Sequence, residues 1–366
     1  MSEYTLYAAP VSLFSGKARA YLRWRGVSFE EVLTTTDVMR EIVPKIGWPV
    51  IPVMKTKAGD YVQDTADIIA HFERAQAQRG QGAPSVYPQN PLLNFVSALL
   101  HLYGDEWLVL PAMHYRWNHN EEWTYSEFGR MAAPDAAPDA QYEIGKKRGQ
   151  MFKGFVPMLG ITDATRGCVE RAYEDFLDEF SLHLSEHDFL LGGRPCLADF
   201  AFYGPLYAHL YRDPASGTLM KSRAPKVAAW VERLRDGHHG DGDLARDVPQ
   251  TLLPLLRRHF SEHLPVLLAS NALLAAWAQN QDSGTELPRA FGMTPFTVGE
   301  CAGQIIARPF SLYRLQYAMD IYSAMNSADK AKADALLAAS GGTALIDFKG
   351  AARLARANNK LVLKDA

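Results

Sequence analysis

Over residues 4–74 the apolar positions change period several times. Tyr4–Ala8 is a short β-rich run ended by Pro10, and it predicts a strand. From Leu13 the residues Phe14, Ala18, Tyr21 and Leu22 recur at helical spacing as far as Arg25-Gly26. Residues 27–33 read as a second strand, 38–46 as a short helix or loop, and 50–54 as a β-branched third strand. Ala58-Gly59-Asp60 is a turn signal that returns the chain as Tyr61-Val62. An amphipathic helix carrying Ile68, Ile69 and Phe72 then starts at Thr65. The order βαβ, α, ββα predicts a compact α/β sandwich.

The pattern changes after that. Residues 75–91 are dominated by Gln, Gly, Ala and Pro, as in an interdomain linker. From Leu92 onward strand signals nearly vanish, and long helical stretches are separated by breakers such as Leu191-Gly192-Gly193-Arg194-Pro195. A second shift falls at Asp236-Gly237-His238-His239-Gly240-Asp241-Gly242-Asp243. Beyond it the pattern predicts an amphipathic helix over 249–279, kinked or broken near Pro254 and Pro265. A Gly-rich stretch over 291–303 follows, then helices near 311–325 and 328–339. The alternating segment from Arg353 to Leu363, turned at Asn358-Asn359, predicts a small hairpin. Three domains are therefore expected, at 1–76, 90–236 and 244–366.

Composition narrows the class only modestly. The chain has 366 residues, 48% hydrophobic and 22% charged, with a net charge of -3. That length favours two or three domains, and the charge gives no reason to expect nucleic acid or an anionic membrane as partner. No apolar run reaches the roughly 20 residues a bilayer span needs, and no leader pattern opens the sequence, so a cytoplasmic protein is expected. The three cysteines, Cys168, Cys196 and Cys301, are odd in number and widely spaced. They argue against a disulfide framework and for a reducing compartment.

Four segments carry a more specific signal. They are Leu6 to Arg19 with Pro10, Ser12 and Arg19; Val50-Ile51-Pro52-Val53-Met54; Gln63-Asp64-Thr65 leading to Ile68; and Phe189 to Asp199 with Gly192, Gly193 and Cys196. In this order and spacing the chain resembles the glutathione S-transferase superfamily over residues 4–235. The resemblance implies a thioredoxin-like N-terminal domain, an all-α domain after it, and glutathione as co-substrate with no metal. It also implies that the Ile51-Pro52 bond is cis. The segment 244–366 extends past the family's usual end as a mainly helical addition. It could cover the helical domain, cap the active-site cleft, or replace the interface through which such proteins form homodimers.

Ser12 stands at a helix start, where a hydroxyl and free backbone N–H groups favour a thiolate. Lowering a thiol pKa by two units needs about 2.7 kcal/mol. One hydrogen bond to a charged acceptor, roughly 1.5–3 kcal/mol, with a helix N-terminus, roughly 0.3–2 kcal/mol, suffices without a histidine base. The competing role is a plain N-cap. Ser15 is the less suited donor.

The backbone of Ile51, exposed by a cis Pro52, suits strand-like pairing with a peptide ligand. Thr65 is expected to cap its helix and meet the γ-glutamyl carboxylate, and Asp64 the ammonium, against the alternative of a capping pair with no ligand. Trp48 and Lys45 fall where the family contacts the glycyl end. Phe14, Trp107, Met113, His114 and Tyr115 are candidates for an apolar electrophile site, against the alternative of helix-packing core. His183 and His187 have metal-ligand spacing but read as a solvated helix face, and Cys196 as a weakened capping box before Asp199.

The function expected is a glutathione transferase acting on a small hydrophobic molecule, the detoxifying conjugation the family performs. With Ser in place of Cys at position 12, thioltransferase chemistry is disfavoured. The rival is a non-catalytic binding or scaffold protein with its C-terminal extension as partner surface.

Overall fold

In the first and third strand segments of the α/β module Leu6, Ala8, Val53 and Met54 are buried, as central strands require. In the computed structural model, which describes residues 3–79, 84–240 and 242–364, the module comprises β1 (Tyr4–Ala8), α1 (Leu13–Trp24), β2 (Phe29–Leu33), α2 (Thr36–Ile46), β3 (Val53–Lys55), β4 (Tyr61–Gln63) and α3 (Thr65–Arg79). Residues 80–83 of the first linker and Asp241 of the second lie outside the described residues. The sheet order is β2-β1-β3-β4, with β1 parallel to β2 and antiparallel to β3.

Side chains alternate faces along a strand. Val53 accordingly joins Ile42 and Ile46 of α2 in one cluster, while its neighbour Met54 is wholly buried outside that cluster. Helices α1 and α3 pack together and bury Ala18, Tyr21, Leu22, Ile68, Ile69 and Phe72. The third strand starts at Val53 and not at Val50, directly after the cis Ile51-Pro52 bond.

The helices that follow are α4 (Pro91–Glu106), α5 (Val109–His119), α6 (Glu121–Ala132), α7 (Pro138–Lys153), α8 (Arg166–His183), α9 (Leu197–Ala208), α10 (Pro214–Arg223) and α11 (Pro225–Arg235). Asn90 caps α4 by accepting from the N–H groups of Leu92 and Leu93. Helices α6 and α7 approach unusually closely. A Cβ on Gly129 would lie 1.8 Å from the Gln141 carbonyl, and one on Gly145 1.8 Å from that of Tyr125.

Beyond residue 243 lie α12 (Leu253–Arg258), α13 (Leu264–Ala278), β5 (Met293–Val298), β6 (Cys301–Ile306), α14 (Pro309–Ser323), α15 (Ser327–Ser340), β7 (Arg353–Ala357) and β8 (Lys360–Lys364). Pro254 and Pro265 each sit in the first turn of a helix, where no N–H is needed, and the break between α12 and α13 is a wide π turn at His259–His263. The terminal hairpin forms as its alternation implied, with Asn358 and Asn359 both at positive φ. The stretch expected to be merely Gly-rich is a second hairpin, β5–β6, burying Thr294, Phe296 and Val298 on alternate positions.

Two compact units emerge, and neither is a continuous stretch. The first joins residues 1–86, 112–155 and 200–239; the second joins 87–111, 156–199 and 240–366. The extension thus shares a core with segments of the helical region, as in the contact of α14 with α4.

The cysteine expectation is overturned in the second unit. Cys168 on α8 and Cys301 on β6 form a disulfide across 133 residues of sequence, leaving only the buried Cys196 as a thiol. Loop closure of that length stabilises by about 4–5 kcal/mol on the chain-entropy account. Spacing in sequence could not reveal it, because the pairing depends on a hairpin the sequence pattern did not announce.

Candidate active site

Strand register gathers the site. Tyr7 of β1 pairs with Val53 of β3, and Val53 pairs with Gln63 of β4. Adjacent strands lie about 4.8 Å apart. Hence the residues just past those pairs, the Ala9 to Ser12 turn, Pro52 and Asp64-Thr65, emerge at one end of the sheet. Because β1 and β4 run the same way, α1 and α3 both present their N-termini to that end. Two helix N-termini beside an exposed peptide edge favour an anionic, peptide-like ligand.

Ser12 is part exposed and extended, and its Oγ accepts from the Ser15 N–H at 3.2 Å. It is therefore the N-cap of α1. Accepting that bond leaves the hydroxyl its own hydrogen to donate. Ser15 points inward, its buried Oγ accepting from the Ala9 N–H. The Val11-Ser12 peptide is held on both edges: the Ser12 N–H donates to the Ala9 carbonyl at 3.1 Å, and Arg116 Nη1 donates to the Val11 carbonyl at 2.6 Å. Arg116, on α5, also donates to the Ala208 carbonyl and bidentately to Asp213, at 2.7 and 2.8 Å. Its guanidinium is almost wholly buried, and burial pushes its pKa down while Asp213 pushes it back up. The sequence offered no sign of this hub, since its partners are two backbone carbonyls and an acid far along the chain. Arg19 forks onto Glu31 of β2, which ties α1 to the sheet edge.

The Ile51-Pro52 bond is cis, with Pro52 buried and Ile51 part exposed. The helix cap at the next corner is not Thr65 as expected. Asp64 holds it, at a φ of 84°, with its Oδ1 accepting from the Ala66 N–H at 2.8 Å. Aspartate tolerates the left-handed region because its short side chain can bond the local backbone. Thr65 is buried in the first turn, Trp48 is part exposed, and Lys45 is exposed.

The candidates for an electrophile surface are mostly core. His114 is fully buried with Nδ1 2.7 Å from the Asn118 amide, and Met113 and Tyr115 are buried on the same helix. Trp107 belongs to the second unit, where its Nε1 donates to Glu262 at 2.9 Å and its ring stacks on His263. Phe14 alone of the five is part exposed, two residues after Ser12.

One further sequence expectation is corrected in the second unit. His183 is buried and not on a solvated face; its ring nitrogens meet Thr251 Oγ1 at 2.9 Å and the Phe189 carbonyl at 3.2 Å. The capping box survives through Asp199, as expected, for the Asp199 N–H goes to the Cys196 carbonyl and not to its sulfur. Asp199 accepts from the Cys196 N–H at 2.9 Å, from its thiol at 3.2 Å, and from the Leu190 N–H at 3.0 Å. Burial, with Asp199 beside it, drives the Cys196 thiol pKa far up, so it stays protonated and donates.

Residues 6–80 match the family model described as glutathione S-transferase, N-terminal domain, and residues 157–233 match that of the C-terminal domain. With both domain models matched in order, the chain is similar to the glutathione S-transferase superfamily over these two segments. Residues 81–156 and 234–366 fall outside those matches.

Among solved structures, the chain is similar to the β-etherase LigF from Sphingobium sp. strain SYK-6, at 18% identity over 63% of this chain and 94% of that one, TM-score 0.45. It is also similar to the glutathione transferase GSTFuA3 from Phanerochaete chrysosporium, at 14% identity over 66% and 100%, TM-score 0.46. A third is rice GST1, solved in complex with glutathione, at 18% identity over 64% and 87%, TM-score 0.39. No curated protein matches the chain. No helix among the described residues is long and apolar enough to cross a membrane.

Proposed function

We infer that the protein binds glutathione at the end of the four-stranded sheet and, through Ser12, holds its sulfur as a thiolate for attack on a small apolar electrophile. The observation that carries this is the meeting of the α1 and α3 N-termini with the cis Ile51-Pro52 peptide, fixed by the Tyr7, Val53 and Gln63 register. The Ile51 backbone would pair with the cysteinyl part of the ligand, Thr65 with the γ-glutamyl carboxylate, Asp64 with the ammonium, and Trp48 with the glycyl end. Phe14 is the apolar side chain best placed to border the electrophile. Catalysis would be positioning and thiolate stabilisation, with no protein nucleophile.

Calorimetric titration with glutathione tests the binding step, and ultraviolet absorbance of the bound thiolate against pH tests the activation step. Micromolar-to-millimolar binding with a thiol pKa depressed in the complex is expected. No detectable binding overturns the site and the transferase reading together. The alternative, a binding or scaffold protein, is favoured by the residues outside the family matches. Binding without turnover across a broad electrophile panel would establish it.

A further inference from the structure

We propose that the Cys168–Cys301 pair is a thiol-exchange site that opens and closes with a small thiol such as glutathione, with Cys301 the sulfur attacked and Cys168 the leaving group. The two sulfurs differ in access. Cys168 is buried on α8, whereas Cys301 is part exposed at the first position of β6, directly after the Gly299-Glu300 turn. Their electrostatics differ as well. Arg171, one turn further along α8, brings Nη2 to 3.0 Å from Cys168 Sγ, and the same nitrogen meets Glu300 at 2.9 Å. A guanidinium against a sulfur stabilises its thiolate, and the leaving sulfur departs faster as its pKa falls. Access therefore directs a nucleophile to Cys301, and charge assists departure of Cys168. Glu300 is the nearby anion that would oppose an anionic thiol, and its pairing with Arg171 offsets this.

The step balances as thiol–disulfide exchange. A glutathione thiolate attacks Cys301 Sγ, the Cys168–Cys301 bond breaks, and its electron pair leaves on Cys168 as a thiolate beside Arg171. A second glutathione thiolate attacks the glutathione sulfur of the mixed disulfide, releasing oxidised glutathione and the Cys301 thiolate. Closing runs the other way: the Cys301 thiolate attacks oxidised glutathione and releases one glutathione thiolate, and the Cys168 thiolate then attacks Cys301 Sγ and expels the second.

The surrounding contacts allow this without unfolding. The β5–β6 hairpin is also held by Phe296, buried against Gly160 so tightly that a Cβ there would lie 2.3 Å from its ring. Opening the disulfide removes one tether of the hairpin and leaves that one. The exchange requires only the two sulfurs and Arg171, and it stands whether or not the first unit binds glutathione.

The test uses the full oxidised chain in mixtures of reduced and oxidised glutathione, with acid trapping, thiol alkylation and mass mapping, while circular dichroism follows folding. The bond should open in excess reduced glutathione with the spectrum retained, close again in oxidised glutathione, and pass through an adduct on Cys301. Arg171→Gln should slow opening several-fold. Cys168→Ser should take one glutathione on Cys301 from oxidised glutathione, and Cys301→Ser should take none. A bond that stays closed in the folded chain, or an adduct on Cys168, overturns the proposal; the wild-type arms decide this even if a variant fails to fold.

Discussion

Arg116 donates to the carbonyl of Val11 at 2.6 Å while its fork is closed on Asp213, so one buried cation in α5 fixes the peptide that precedes Ser12. Replacing Arg116 by Met would leave Asp213 buried without its counter-charge, a loss of about 3–5 kcal/mol. Lysine keeps the charge but not the fork that reaches four oxygens at once, and should recover only part. Urea midpoints of Arg116→Met, Arg116→Lys and Arg116→Met/Asp213→Leu check this. The double variant should be more stable than the Arg116→Met single, because it removes the stranded carboxylate as well.

Ser12→Ala removes a helix cap and, on the proposed mechanism, the thiolate donor. The cap contributes about 1 kcal/mol, so the fold should survive. Turnover of a generic aryl halide should fall at least tenfold while the glutathione dissociation constant changes little. Steady-state kinetics beside calorimetry separates the two; equal losses in both would mean that Ser12 serves binding and not activation.

Asp64 offers a similar separation of structure from recognition. Asp64→Asn retains both the tolerance for a φ of 84° and the bond to Ala66, but removes the charge. Stability should change by less than about 0.5 kcal/mol, with glutathione affinity reduced about tenfold if Asp64 meets the ammonium as proposed. Asp64→Ala should lose affinity and also about 1–2 kcal/mol of stability. Thermal melts and calorimetry on the same samples distinguish them.

Helices α6 and α7 should tolerate no side chain at their crossing. Gly145→Ala forces a methyl to within 1.8 Å of the Tyr125 carbonyl, so the helices must separate. A cost of about 1–3 kcal/mol or more is expected, visible as a lowered melting temperature. Exposed Gly59 has open space around its missing Cβ, so any cost of substitution there comes from its φ of 90° alone.

Burial makes the second unit sensitive to acid. Desolvation lowers the pKa of His183 to about 4, against about 6.5 unfolded. Above pH 6.5 both states are neutral and nothing is lost. As pH falls below 6.5 the unfolded state takes up a proton the folded state refuses, so stability declines until pH nears 4. By pH 5 the loss from His183 alone is about 2 kcal/mol. Denaturant midpoints across that range should show the decline, and His183→Gln should flatten it.

The sequence by itself determined the features whose cause is local or nearly so. The alternation of strand and helix over residues 4–74 follows from hydrophobic period and breakers, and so does the terminal hairpin, whose Asn358-Asn359 pair supplies two residues at positive φ. The helix start at Ser12 was legible in the periodicity from Leu13, and the cis bond at Pro52 was implied by the resemblance of residues 50–54 to the family's segment. What only the tertiary structure decided rests on partners far apart in the chain. Whether Asp64 or Thr65 caps α3 depends on how β4 delivers the chain to the helix. Arg116 reaches Val11, Ala208 and Asp213 only because three segments converge. The disulfide needs β6 to exist, and β6 pairs with a strand in which Pro295 masks the alternation of Thr294, Phe296 and Val298. The two interleaved units arise the same way: a helix's apolar stripe states that it must be buried but not against which partner, and only the packed chain supplies that answer.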